Sequence, residues 1–204
     1  MREYHWRAAG AVRFDGLRCG TMRKKLSLGA DSLPDMLDAV CALPGVPDIS
    51  LDNFRRGDAT VKRYLLASML ALTDAGLPSG GDAAVLDFSR EGSHRQNKAY
   101  FEDYKTFGRQ LGRGHLFVGT LPSTPVCEAA IALRFHGAVF YLNARDRMHA
   151  FWKEIELLLT EYPAVLAFYR MKTVLYAFVM VPGATRFDPD EPGPDALFAG
   201  DFRE

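Results

Sequence analysis

Few residues in this chain combine a reactive side chain with a setting that could use it. Of the three cysteines, Cys19, Cys41 and Cys127, only Cys127 falls at the start of a helical segment, just after Thr124-Pro125. A thiol near a helix N-terminus is acidified by the aligned peptide dipoles and can act as a nucleophile. The same position also suits a small apolar residue packed on a sheet, the commoner use of a free cysteine. His149 could serve as a general acid or base, or simply as a hydrogen-bonded helix residue. His94, His115 and His136 are scattered, with no i, i+4 pairing and no nearby Cys or Asp cluster, so no metal site is expected. Arg145, Asp146 and Arg147 read as a helix start, Asp146 capping and the arginines solvated, or else as an internal salt bridge. Gly76-Leu77-Pro78-Ser79-Gly80-Gly81-Asp82 precedes a strand and lacks the Gly-Lys-Ser/Thr ending of a phosphate loop, so it reads as a helix-to-strand turn. Nothing here implies a cofactor, and no residue is assigned a catalytic role.

Composition narrows the classes further. The 204 residues suffice for one sizeable domain or a large half of something bigger, with 48% hydrophobic and 12% aromatic residues to fill a core. Lys+Arg and Asp+Glu each number 25. A chain without excess cations is not built to displace counterions from phosphates, which argues against nucleic acid as a partner. The basic and aromatic mixture from Arg90 to Tyr104 carries Glu91, Glu102 and Asp103 among its cations, and reads as an amphipathic helix with its leading loop. Zero net charge also favours association over a dilute monomer. The cysteines form no C-x-x-C pair and read as reduced thiols. No segment approaches ~20 uninterrupted apolar residues, and the start does not resemble a signal sequence. A cytoplasmic protein without a membrane span is expected.

The elements that must position these residues follow from periodicity and punctuation. Tyr4 to Phe14 carries Trp6, Ala8, Val12 and Phe14 in loose alternation and predicts a first strand. Gly16 to Asn53 reads as irregular around a short helix, Pro34 to Leu43. Asp58 or Thr60 caps a strong helix to Ala75 with the stripe Val61, Leu65, Met69 and Leu72, and Gly76 stops it. Ser68 lies on the flank of that stripe. Ala83 to Phe88 is a compact buried strand. Asn97 to Leu111 predicts a helix with Tyr100, Tyr104, Phe107 and Leu111 on one face. Thr124 caps a further helix with Pro125 in its first turn. Ala138 to Leu142 is a short apolar strand. The helix from Asp146 has the stripe Met148, Phe151, Trp152, Ile155 and Leu159. Ala164 to Tyr169 and Thr173 to Val181 lie too close for a crossover and predict an antiparallel hairpin. Pro182 onward is rich in Pro, Gly and Asp and reads as a poorly ordered tail. The expectation is an α/β domain over 1–182, a mixed sheet of roughly five strands covered by helices, followed by a tail over 183–204.

Three blocks, in order, resemble the N-terminal half of β-ketoacyl synthases of the thiolase-like fold. Arg55-Arg56-Gly57-Asp58-Ala59-Thr60-Val61-Lys62-Arg63-Tyr64-Leu65-Leu66-Ala67, running on to Ala71-Leu72-Thr73-Asp74-Ala75-Gly76-Leu77, is similar to that family's R-R-M-D-R-x-x-R-L-A-L-x-A helix ending in A-L-x-D-A-G-L. Leu121-Pro122-Ser123-Thr124-Pro125, with Ala129-Ala130-Ile131 and Phe135-His136-Gly137, is similar to the passage that leads into the catalytic cysteine. The helix from Asp146 and the strand pair after it form the third block. The resemblance covers roughly positions 4 to 182.

Where the family places its nucleophile, this chain reads Leu142-Asn143-Ala144-Arg145-Asp146-Arg147, and no cysteine follows. Anchoring on Met148-His149-Ala150 puts Ala144 at that position; anchoring on Gly137 puts Asp146 there. Neither side chain can carry an acyl thioester. The two catalytic histidines of a full synthase come from a second half that this chain does not reach. The resemblance therefore implies a non-catalytic subunit of fatty-acid or polyketide-type metabolism, paired as a homodimer or with a ketosynthase, in contact with acyl carrier protein, and joined through an edge strand. Ala138 to Leu142 is the expected edge. The competing readings are a small acyltransferase or hydrolase using Cys127 or His149, and a module that binds an acyl chain or acyl carrier protein.

Overall fold

A break in strand alternation sets the architecture. The computed structural model describes residues 2–108, 114–143, 148–187 and 194–198. Its first strand, β1 (Arg2–Asp15), pairs antiparallel with the last, β7 (Val174–Phe187), and the ladder shifts register between Ala8 and Gly10. An extra residue in a ladder reverses which face later side chains point to. Trp6 and Phe14, an even number of positions apart, therefore enter different cores on opposite faces of the sheet. At Gly10 the strand touches the helix above it: a Cβ there would lie 2.4 Å from the backbone nitrogen of Ala75. Only glycine allows that approach.

Among the described residues seven strands form one mixed sheet in the order β3-β2-β1-β7-β6-β4-β5, two more than the roughly five expected. The additional strands are β2 (Arg18–Thr21) and β3 (Ser27–Gly29), which fold back on β1 as a meander. They lie within the segment that reads as irregular, because at four and three residues they are too short to show a period. β4 (Ala84–Ser89) runs parallel to β5 (Val139–Asn143) on one side and to β6 (Val165–Met171) on the other. β6 and β7 form the predicted antiparallel hairpin, turning at Lys172 with φ 54. The pairing of β7 continues past Pro182 to Phe187, and the 3-10 turn Pro194–Phe198 lays a buried Phe198 on the sheet.

Helices cover both faces. One carries α1 (Leu33–Cys41), α2 (Asp52–Arg56), α3 (Ala59–Ala75) and α6 (Thr124–Leu133); the other carries α7 (Met148–Leu158), whose Trp152 stacks on Trp6 at 5.0 Å between ring centres. The cap of α3 is Asp58, whose carboxylate accepts the Val61 amide at 2.8 Å, and Gly76 ends it in the left-handed conformation. The predicted stripe of α3 understates its burial: Tyr64 to Asp74 is buried all round, because α1 and α6 pack on the side away from the sheet. Ser68 is fully buried there and resolves its hydroxyl by donating to Tyr64 O at 2.7 Å.

Asp74 is the fixed point of this half. Its carboxylate accepts the amides of Ala11 (2.9 Å), Arg23 (3.0 Å) and Lys24 (2.7 Å), tying the β1 bulge and the turn after β2 to the end of α3. The expected helix over 97–111 is α4 (His94–Phe107), which begins earlier and ends at Gly108, and Leu111 lies outside the described residues. It buries no side chain and pairs with α5 (Gly114–Val118) through Tyr100 and Phe117. The N-cap of α6 is Ser123; Thr124 instead donates to Val118 O at 2.7 Å. Arg145, Asp146, Arg147 and the expected cap of α7 fall outside the described residues.

Candidate functional site

The connections change direction at β4. From β4 the chain travels through α4, α5 and α6 to the edge strand β5, then returns through α7 on the opposite face to β6, on β4's other side. Parallel strands whose crossovers part in this way leave a crevice beyond their C-terminal ends, the usual ligand position in open α/β sheets. Four polar residues converge there on the α3 face. Asp87 and Ser89 point up from β4, and Arg170 stands beside Ser89 on β6. Tyr64 reaches down from α3, its ring 4.7 Å from Phe168.

These groups form one network. Tyr64 Oη donates to Asp87 Oδ1 at 3.0 Å, in a site where both residues are 1% exposed. Arg170 Nη2 donates to Ser89 Oγ at 3.4 Å and to the carbonyl of Gly92. Tyr141 of β5 donates to the carbonyl of Ser89 at 3.2 Å. Gly92 is held at φ 51 with the Tyr141 hydroxyl 2.8 Å from where a Cβ would stand, so a side chain there is strained twice over. Burial pushes the Asp87 carboxyl up to about 7, against the opposing pull of Arg170 and of the Tyr64 and Phe88 hydrogen bonds. The Tyr64 phenol is driven well above its ordinary value by burial and by the Asp87 charge. Asp87 therefore exchanges a proton near neutrality while Tyr64 keeps its own.

Above the network lies a cleft of about 730 Å³, within the size range of small-molecule sites. Its walls come from the N-terminal turn of α3, from α4 and α5, and from the start of α6 with Pro122 and Pro125. Tyr64 and Arg170 also border a second cleft of about 800 Å³ that opens toward His94 and Lys172. No cysteine lines either one. Among the described residues no group of three or more His, Cys, Asp or Glu could hold a metal ion. The buried acid and phenol, with the half-buried guanidinium, can bind, orient and exchange a proton, but they supply no thiolate for acyl transfer.

The residues singled out by sequence lie elsewhere. Cys127 is half-buried on α6 and His149 is exposed on α7. Those helices cover opposite faces of the sheet, so the structure does not bring the two together. Cys19 is buried, its thiol pushed up to about 12 by burial, and Cys41 is exposed on α1. His94 borders the second cleft and His136 lies in the turn before β5. Gly76 to Asp82 is the helix-to-strand turn expected, with Gly80 and Gly81 at φ 89 and 96. Ala144 and Asp146, the two candidates for the vacant nucleophile position, fall outside the described residues. In the sequence Tyr64, Asp87 and Arg170 read only as parts of a helix, a strand and a hairpin. One signal was present: Asp87 is a lone acid inside an otherwise apolar strand, and such a charge is retained only where something uses or pairs it.

With this geometry in view, the chain resembles a solved structure. It superposes on a chain of the complex of the ketosynthase ApeO with its chain length factor ApeC from Xenorhabdus doucetiae, with a TM-score of 0.55 and 12% sequence identity, covering 86% of this chain and 77% of that one. The fold is thiolase-like, of the ketosynthase type. No protein-family model and no curated protein matches the sequence. Among the described residues no helix is long and apolar enough to cross a membrane.

Proposed function

We propose that this protein is a non-catalytic, ketosynthase-like subunit that works by pairing with an active thiolase-fold partner in polyketide- or fatty-acid-type metabolism in the cytoplasm. The observation that carries the reading is the match to a chain of a ketosynthase–chain length factor complex, joined to a sequence with no cysteine after Cys127. The coverages make the two matched chains similar in size, so the likeness is to one chain of about this length. A ketosynthase-like chain without a cysteine nucleophile retains a use if it shapes or stabilises a partner. β5 is an edge strand of the sheet, and its Phe140 is 41% exposed. An unpaired edge bearing an aromatic side chain is an association site unless something covers it.

The test is reconstitution with the ketosynthase encoded nearest to this protein. The chain alone, given acyl and malonyl thioesters, shows no condensation and no stable acyl adduct by intact-mass spectrometry. Mixed with the synthase, it forms a complex and changes the rate or chain length of the products. A condensation product or acyl adduct from the isolated chain would overturn the reading.

A further inference from the structure

Charge is balanced over the chain, with 25 cations and 25 acids, but not over the second cleft. Arg63, Arg90, Arg95, Arg170 and Lys172 line its volume of about 800 Å³ together with one carboxylate, Glu91. Two sets of hydrogen bonds gather these cations. Gln96 Nε2 donates to Asp58 Oδ2 and to Thr60 Oγ1, both at 2.9 Å, which docks the start of α4 on the first turn of α3. Arg95 is thereby brought near Arg63, which follows on α3. Arg170 donates to the carbonyl of Gly92 and to Ser89, tying the end of β6 to the segment that leads into α4. Burial lowers the pKa of the Arg63 guanidinium, and the charges of Arg95 and Arg170 lower it further, against the pull of Asp15. Among the described residues no carboxylate forms an ion pair with Arg63, Arg95, Arg170 or Lys172. Asp87 offsets part of the Arg170 charge from beneath but does not line this cleft. Cations crowded in a recess walled by protein repel one another and focus a positive potential on its interior. Arg95 and Lys172 are exposed and Arg63 is half-buried, so a molecule in the cleft can reach them.

We infer that this second cleft binds a diphosphate group, free or carried on a small organic molecule, its oxygens accepting from Arg63, Arg95 and Lys172 while Arg170 adds charge beneath them. Guanidinium groups match phosphate oxygens two at a time, and such charge-assisted hydrogen bonds are the strong ones. A lone carboxylate would offset one cation and leave the others repelling; two linked phosphates offset most of them. An extended nucleic acid fits poorly, since the site is a recess on a chain with no overall positive charge. The site is independent of the proposed pairing through β5, since no residue of that strand lines it.

The experiment is calorimetric titration of the full chain, at low salt and free of divalent cations, with pyrophosphate, ADP, orthophosphate and acetate. Pyrophosphate binds one to one, about tenfold or more tighter than orthophosphate, and acetate gives no binding heat. ADP binding more tightly than pyrophosphate places the diphosphate on an organic molecule; ADP binding no more tightly identifies the free anion. Arg95→Gln and Lys172→Asn each weaken pyrophosphate binding by about tenfold. Both sites are exposed, and asparagine tolerates the φ of 54 at position 172. Arg18→Gln, the same charge change at an exposed site on β2 outside the cleft, leaves binding unchanged. Absence of pyrophosphate binding overturns the inference, and so does equal affinity for pyrophosphate and orthophosphate. A loss with Arg18→Gln as large as with Arg95→Gln, or no loss with either cleft variant, overturns it as well.

Discussion

Asp87 couples the cleft to pH. Its folded-state value of about 7 lies above the ordinary 3.8, so the native state holds this proton more tightly than the unfolded chain does. Below pH 4 both states are protonated and Asp87 contributes nothing to the pH dependence. Between pH 4 and 7 the unfolded chain loses its proton first, and stability falls as pH rises; above 7 the full penalty applies. The facing charged and titratable groups are Tyr64 from α3 and Arg170 from β6, with Tyr141 of β5 nearby. Asp87→Asn keeps the shape and removes the titration. At roughly 1.4 kcal/mol per pKa unit, the pH-dependent part amounts to some 3–4 kcal/mol across this window. Urea titrations at pH 4.5 and 8 should show the native chain losing stability as pH rises, relative to Asp87→Asn. Parallel curves would remove Asp87 as the titrating group.

At the scale of elements, β5 is the piece whose two faces do different work. Tyr141 points into the α3 layer and bonds to Ser89, while Phe140, paired with Leu86, points to the α7 face and is half uncovered. Ile131 on neighbouring α6 adds a second exposed apolar side chain. The strand offers a partner free backbone groups and an aromatic anchor together. Phe140→Lys should weaken association at least tenfold, read by sedimentation of the chain with its partner, and leave the fold intact because the site is exposed. Tyr141→Phe, which removes only the hydroxyl, should leave association unchanged. Indifference to Phe140→Lys would exclude this edge as the joint. The β2–β3 meander at the other end of the sheet carries no comparable exposed aromatic residue among its described side chains.

For the whole molecule, the question is whether one sheet with two cores suffices without a companion. The α3 face closes over a large cluster, and the α7 face is completed by Phe198, pinned by Tyr176 donating to Asp195 at 2.6 Å. Two cores of this extent support independent folding, so association is a matter of surface. Light scattering of the isolated chain at high concentration should give a mass above the monomer, with an interface burying more than about 1,000 Å² in total. A monomer at every concentration would reject self-association and leave only pairing with a ketosynthase.

Those elements that announce themselves locally were legible from residue order alone. Asp58 or Thr60 marked the start of α3 and Gly76 its end, two adjacent apolar runs declared the β6–β7 hairpin, and Gly76 to Asp82 declared its turn; the structure chose Asp58. The blocks around Arg55 to Leu77 and Leu121 to Gly137 pointed to the ketosynthase-like fold, which the structural likeness supports, and the lack of a late cysteine is a property of the sequence itself. Tertiary structure decided what depends on distant partners. The short β2 and β3 exist because β1 offers a ladder, and the bulge near Ala9 separates Trp6 from Phe14 without any mark in composition. Cys127 and His149, similar prospects on paper, are divided by the sheet. Tyr64, Asp87 and Arg170, more than a hundred residues apart at the extremes, meet only because crossovers on opposite faces bring the ends of β4 and β6 together beneath α3. A one-dimensional pattern records the period and the punctuation of each element; which side chains share a buried volume is fixed by how strands pair and cross.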